Sequence, residues 1–104
     1  MTSFLLNQNL RIGNAFDIHK LTKGNELILG GIKIPSKYKL VGHSDGDVII
    51  HSLIDCILGA LSKKDMGSYF PSTDEKLANI DSTVMLKKII RQNKTNKTIM
   101  TNID

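Results

Sequence analysis

The segment Ala15-Phe16-Asp17-Ile18-His19 carries a carboxylate and an imidazole two residues apart in a strand-like run. In extended chain, residues i and i+2 face the same side, so Asp17 and His19 aim at one point. The chain has three histidines, His19, His43 and His51. His51 stands four residues after Asp47 and four before Asp55, so the three share one face of a helix. An acid and a histidine from a strand, with a histidine from a packed helix, supply three N/O ligands. Three such ligands with an open fourth position are the pattern of a catalytic zinc. Asp55 could then hold the other ring nitrogen of a ligating histidine. The same residues also read as histidines satisfied at the edge of a core. An Asp-x-His pair on a strand is common, and the spacing from His19 to His51 matches no short zinc motif. On these residues alone, satisfied histidines are the favoured reading.

Two further stretches have residue types suited to a ligand. His43-Ser44 directly precedes a helical pattern, and the unpaired N–H groups of a helix N-terminus suit phosphate. Ser44 is equally a plain helix cap, and Asp45 and Asp47 beside it repel an anion unless a cation is present. The loop Asp65–Asp74, DMGSYFPSTD, clusters Asp, Gly, Ser and Thr. It could close over a polyol, or be a surface loop punctuated by Gly and Pro.

The elements that must position these residues follow from periodicity. Leu10–His19 reads as a first strand. ELILGGIKIP (26–35) reads as a strand or hairpin around Gly30-Gly31, and SKYKL as the loop after it. Asp47 to Leu61 is a helix, with Val48, Ile49, Leu53, Ile54, Ile57, Leu58 and Leu61 as its apolar stripe and Ser44 or Asp45 as its cap. The polar connection 62–76 is long enough to tilt toward function. Asp81 or Ser82 caps a second helix with Val84, Ile89 and Ile90 apolar. KTIMTNID at the end begins a strand.

Composition narrows the classes. At 104 residues the chain holds one small domain. The net charge of +4 lies mainly in 86–97, which reads as a solvated helix face and the turn after it. Three Phe, two Tyr and no Trp argue against a base-stacking nucleic-acid surface. The lone Cys56 excludes an internal disulfide and reads as a small core residue. No apolar stretch approaches a membrane span. The first nine residues are too short and too uncharged for a signal peptide.

In order and spacing, RIGNAFDIH, GGIKIP, HSDGDVIIHSLIDCILGAL and DMGSYFPSTD resemble the 2-C-methyl-D-erythritol 2,4-cyclodiphosphate synthase family of the non-mevalonate isoprenoid pathway. The likeness covers 11–104, leaving 1–10 as an N-terminal extension. It implies an α+β fold, a mixed sheet covered by helices in a single domain, and a homotrimer. It implies a reaction that cyclises 4-diphosphocytidyl-2-C-methyl-D-erythritol 2-phosphate with release of CMP. Asp17, His19 and His51 match the family's ligands for a divalent metal, zinc by its chemistry. His43 and Ser44 match residues at the substrate phosphates, His43 as a transition-state stabiliser. Asp65, Met66 and Gly67 match the segment at the methylerythritol part, and Phe70, Pro71, Ser72, Thr73 and Asp74 its continuation. Ala15 stands where the family usually has Gly, and Ser72 where it commonly has an acid. The sequence ends where the family continues a strand. The segments that grip cytosine and hold a second metal, magnesium or manganese, are therefore expected to be missing. A truncated, catalytically inactive fragment that binds zinc or associates with other subunits is the alternative. The resemblance implies no nucleic-acid or membrane partner, and a location in bacterial cytoplasm or a plastid-type organelle.

Overall fold

The computed structural model describes residues 10–93 and 98–104. Its centre is a β-hairpin. Strands β1 (Leu21–Lys23), β2 (Glu26–Leu29), β3 (Ile32–Pro35) and β4 (Tyr38–Leu40) pair as β1–β4 and β2–β3, both antiparallel. The register Leu21↔Leu40 continues unbroken to Leu29↔Ile32. Gly24 N–H donating to Lys37 C=O, and Ser36 N–H to Asn25 C=O, bridge the gap between the two ladders. The four strands are therefore two arms of one long hairpin. Its two-residue turn needs positive φ at both positions, and Gly30 and Gly31 supply +61° and +80°. Those angles suit the right-handed twist of the arms.

Helix α1 (Val48–Ala60) follows, then the short α2 (Met66–Tyr69), a 3-10 turn (Glu75–Leu77) and α3 (Ser82–Gln92). α1 packs against α2, α3 and β2. The core is Ile50, Ile54 and Leu58 of α1, Met85 and Ile89 of α3, and Phe70 after α2. Spacings of four on each helix bring these side chains to one face. No helix among the described residues is long and apolar enough to cross a membrane.

The α+β class and the hairpin about Gly30-Gly31 agree with the sequence reading. Pairing among the described residues is antiparallel throughout. Several details differ. Residues 10–20 form no ladder, because their described backbone neighbours are helix α1 and, at Lys20, the single bond from Val41 N–H, rather than a second strand. Tyr38–Leu40, expected in a loop, is a strand because the constant register carries the hairpin that far. Asp47, rather than Ser44 or Asp45, caps α1. The buried face of α1 turns toward Ile50, leaving Ile49 half exposed, and that of α3 turns toward Met85, leaving Val84 and Ile90 half exposed. Cys56 is only partly buried. Residues 98–104 carry no strand, and Ile99, Met100 and Ile103 are exposed. The expected extension, apart from Leu10, and the lysines at 94 and 97 lie outside the described residues.

The hairpin is joined to α1 by one side chain. Asp47 is fully buried. Its carboxylate accepts from Gly30 N–H (2.9 Å), Gly31 N–H (2.7 Å) and Ile50 N–H (3.0 Å). Two of these donors belong to the turn, and the third is an otherwise unpaired amide of the first helical turn. Asp47→Ala leaves all three without their acceptor. Gly30 and Gly31 are exposed, so water can replace the acceptor there, while the Ile50 amide is buried. At about 1–3 kcal/mol for an unsatisfied buried group, a loss of about that size is expected in denaturant unfolding. Asp47→Asn, which keeps one acceptor oxygen, should lose less.

Candidate metal centre and cleft

The extended segment before β1 lies along α1. A Cβ on Gly13 would fall 1.8 Å from the Cys56 carbonyl oxygen, so the close approach admits only glycine. Arg11 Nη1 donates to Ala60 C=O at 3.1 Å, tying the start of the segment to the end of the helix. Alternation then turns Asp17 and His19 inward, with Phe16 (84% exposed) and Ile18 (75%) outward. Both inward residues meet His51, buried one turn into α1.

The ligand atoms of Asp17, His19 and His51 lie within 4.8 Å of one another. Asp17 Oδ2 is 2.9 Å from His19 Nε2 and 3.5 Å from His51 Nδ1, and the two nitrogens are 3.2 Å apart. The outer ring nitrogens determine what these atoms can do. His19 Nδ1 lies 2.8 Å from the Val41 carbonyl oxygen. A carbonyl only accepts, so Nδ1 carries the proton of the neutral ring and Nε2 presents a lone pair. Asp17 Oδ2 is itself a buried atom without a hydrogen-bond donor. The centre is therefore a knot of electron pairs that needs a cation or a proton. Tetrahedral zinc with bonds of about 2.0–2.2 Å sets ligand atoms about 3.3–3.6 Å apart. The observed separations come close to that figure, and the donor set of one carboxylate and two imidazoles suits zinc.

Burial, and after it the neighbouring His19 ring, holds the His51 imidazole below its ordinary pKa, outweighing the opposite pull of Asp17, Asp45 and Asp47. The ring is then neutral near pH 7, as a metal ligand must be.

The loop 43–47 organises the rest. His43 Nε2 donates to the Asp74 carbonyl (2.8 Å), and the His43 carbonyl accepts from Asn79 N–H (2.8 Å). Ser44 Oγ lies 3.0 Å from His51 Nε2. Gly46 turns the chain at φ +75°, where a Cβ would meet Leu40. A cleft of about 370 Å³ opens over the centre. His19, His43, Ser44, His51, Met66 and Gly67 line it, together with Phe70, Pro71, Ser72 and Thr73. Leu77, Ile80 and Met85 complete its apolar wall.

Three acids expected at the site also make structural hydrogen bonds. Asp65 caps α2, accepting from Ser68 N–H, and Asp74 caps the 3-10 turn, accepting from Lys76 N–H. Of Asp74, the backbone carbonyl reaches His43. The expectation that Asp55 holds a ligating histidine is corrected: its Oδ1 accepts from Met66 N–H at 2.7 Å, fastening the loop to α1. His51 Nε2 faces Ser82 and Ser44. Sequence reasoning considered Ser82 only as a helix cap and gave Gly13 no role. A glycine interrupting a strand-like run does signal close backbone approach.

Two outcomes are expected. Gly13→Ala should destabilise the fold by about 1–3 kcal/mol, seen in denaturant unfolding, by lifting the segment from α1. Because the His51 pKa is lowered on folding, the unfolded chain binds more protons below about pH 6.5. The contribution of His51 to stability is therefore complete above that pH and is lost as pH falls toward the folded value. Unfolding of the metal-free chain across pH 5–8 should show this slope, reduced in His51→Gln.

Comparison with known proteins agrees with the geometry. The model of the YgbB family matches residues 10–104. The 2-C-methyl-D-erythritol 2,4-cyclodiphosphate synthase of Fusobacterium nucleatum is 52% identical over 80 residues, covering 77% of this chain and 50% of the relative. The synthase of the same name from a Nostoc species is 46% identical over 99 residues, 95% of this chain and 60% of the relative. A solved synthase described as the CDP-bound form superposes with a TM-score of 0.75 at 38% identity, covering 83% of this chain and 57% of the other. The chain thus spans about half the length of the curated relatives it matches. The match across residues 10–104, together with these relatives, places this chain in the YgbB family, that of the 2-C-methyl-D-erythritol 2,4-cyclodiphosphate synthases.

Proposed function

We propose that this chain forms the metal- and polyol-binding side of a cyclodiphosphate synthase. The reaction is the cyclisation of 4-diphosphocytidyl-2-C-methyl-D-erythritol 2-phosphate, with release of CMP. The observation that carries this reading is the knot of three lone pairs from Asp17, His19 and His51 beneath the cleft. Only a cation satisfies it without a proton, and a cation there would make the cleft hospitable to phosphate.

Asp17, His19 and His51 would hold the metal. A divalent metal held there, zinc by the chemistry of the donor set, would supply positive charge to the attacked phosphate. The attacking oxygen is already ionised, so the residues need only position and stabilise. His43, with Nε2 donating to Asp74 C=O, lines the cleft where the substrate phosphates would lie and would help to stabilise their charge. The Ser44 hydroxyl, at the mouth of the centre, is a donor to the same phosphates. Met66, Gly67 and residues 70–73 would enclose the methylerythritol, with Ser72 in place of an acid. Asp65 and Asp74, which cap its short helices, would stand at the two ends of this substrate-binding loop. A magnesium or manganese ion on the diphosphate, a grip on cytidine and a homotrimer belong to the proposal through the family alone.

Zinc content and substrate protection test it. One zinc per chain is expected after a chelator wash, with loss in His51→Ala by elemental analysis. In hydrogen exchange, residues 66–74 should gain protection with the diphosphocytidyl substrate, and only when zinc is loaded. CMP release in the same samples, with magnesium present, tests for turnover. Undiminished zinc in His51→Ala, or no protection at saturating substrate, would overturn the reading.

A further inference from the structure

We infer that Ser82, held by Asp45, is a positioning residue that fixes which nitrogen of His51 faces the metal centre. Ser82 is the first residue of α3 and is fully buried. Its backbone N–H donates to Asp45 Oδ2 at 2.9 Å, and its hydroxyl bonds to Asp45 Oδ1. On its other side the hydroxyl oxygen lies 2.8 Å from His51 Nε2.

The directions of these bonds follow from donor and acceptor chemistry. An ionised carboxylate only accepts, so the single hydroxyl hydrogen of Ser82 goes to Asp45. The Ser82 oxygen is then left with lone pairs toward His51, and Nε2 must be the nitrogen that carries the proton. Ser44 Oγ, 3.0 Å from the same nitrogen, can take a second branch of that N–H. The reverse arrangement would set two lone-pair surfaces against each other at Asp45 and Ser82. With the proton on Nε2, Nδ1 presents its lone pair to Asp17 and His19.

The chain of bonds also fixes position. The Asp45 amide donates to Ile80 C=O at 3.1 Å, and Asp45 Oδ1 accepts from Asp47 N–H at 3.0 Å. The carboxylate that orients Ser82 is therefore itself held by the connection before α3 and the start of α1. His19 has a simpler counterpart, the Val41 carbonyl. The outer nitrogens of both histidines are thus occupied before any metal arrives.

The consequence for metal affinity rests on the metal reading proposed above, but the ring tautomer does not. Long-range proton–nitrogen correlation spectra of the metal-free chain, at a pH where the rings are neutral, should show His51 protonated at Nε2. A ring protonated at Nδ1 would overturn the proposal without any variant. By chelator competition, Ser82→Ala should bind zinc about 10–100-fold more weakly and lose the single tautomer. Ser82→Thr, which keeps the hydroxyl, should recover the tautomer and most of the affinity. Wild-type affinity in Ser82→Ala overturns the proposal and leaves the metal reading standing. If the wild-type chain takes up no zinc, the metal reading falls, and the His51 tautomer still decides the role of Ser82. If Ser82→Ala fails to fold, the wild-type spectrum and Ser82→Thr carry the decision.

Discussion

The buried carboxylate of Asp47 is the interaction on which the arrangement depends. It accepts from both amides of the Gly30-Gly31 turn and from the first turn of α1. Without it, the start of a helix would bury an amide with no acceptor, and the tip of a long hairpin would lose its hydrogen bonds to that helix. With it, the hairpin is fixed to α1 one helical turn before His51. The turn also meets the start of α3: a Cβ on Gly31 would lie 2.8 Å from Thr83 Cγ2. The tip of the hairpin, α1 and α3 therefore converge on the five-residue loop 43–47. Each residue of that loop answers a separate constraint, with His43 on the Asp74 carbonyl, Ser44 and Asp45 behind His51, Gly46 at the bend and Asp47 on the turn.

A satisfied periphery surrounds a deliberately unsatisfied centre. Around the three ligand atoms, the outer nitrogens of both histidines have partners: Val41 for His19, Ser82 and Ser44 for His51. Inward, lone pairs face lone pairs. Buried polar atoms are ordinarily paired, and an exception calls for an ion or a function. A flexible set of ligands would relax by turning its rings to share protons. Here the outer hydrogen bonds oppose that rotation, so the mismatch persists until a cation enters.

The sequence made local elements legible and long-range partners illegible. The apolar spacing of 47–61 and the caps before 82 defined both long helices, and Gly30-Gly31 marked the hairpin tip. Asp17, His19 and His51 were visible as a possible set by strand parity and helix face, and became specific through resemblance. Asp55 misled because a position one turn from His51 is a neighbour on the helix surface, while its carboxylate is claimed by an amide from another element. Ser82 was hidden for the converse reason, since 31 residues separate it from the histidine it touches. Leu10–His19 had the alternation of a strand, but a ladder needs a second backbone as well as a pattern.

The extended segment before β1 has a two-sided character with thermodynamic weight. Its inner row, Asp17 and His19, belongs to the metal centre; its outer row, Leu10, Ile12, Phe16 and Ile18, is bare. Both rows hang from one backbone that no ladder immobilises. Ordering such a backbone costs about 1–2 kcal/mol per residue in conformational entropy. Any contact that stills the outer row therefore reduces what a cation must spend to gather the inner one. By reciprocity, a bound cation strengthens that contact by the same factor. A cation on the inner row and a contact on the outer one would thus be linked through a single stretch of chain, with no change of shape required.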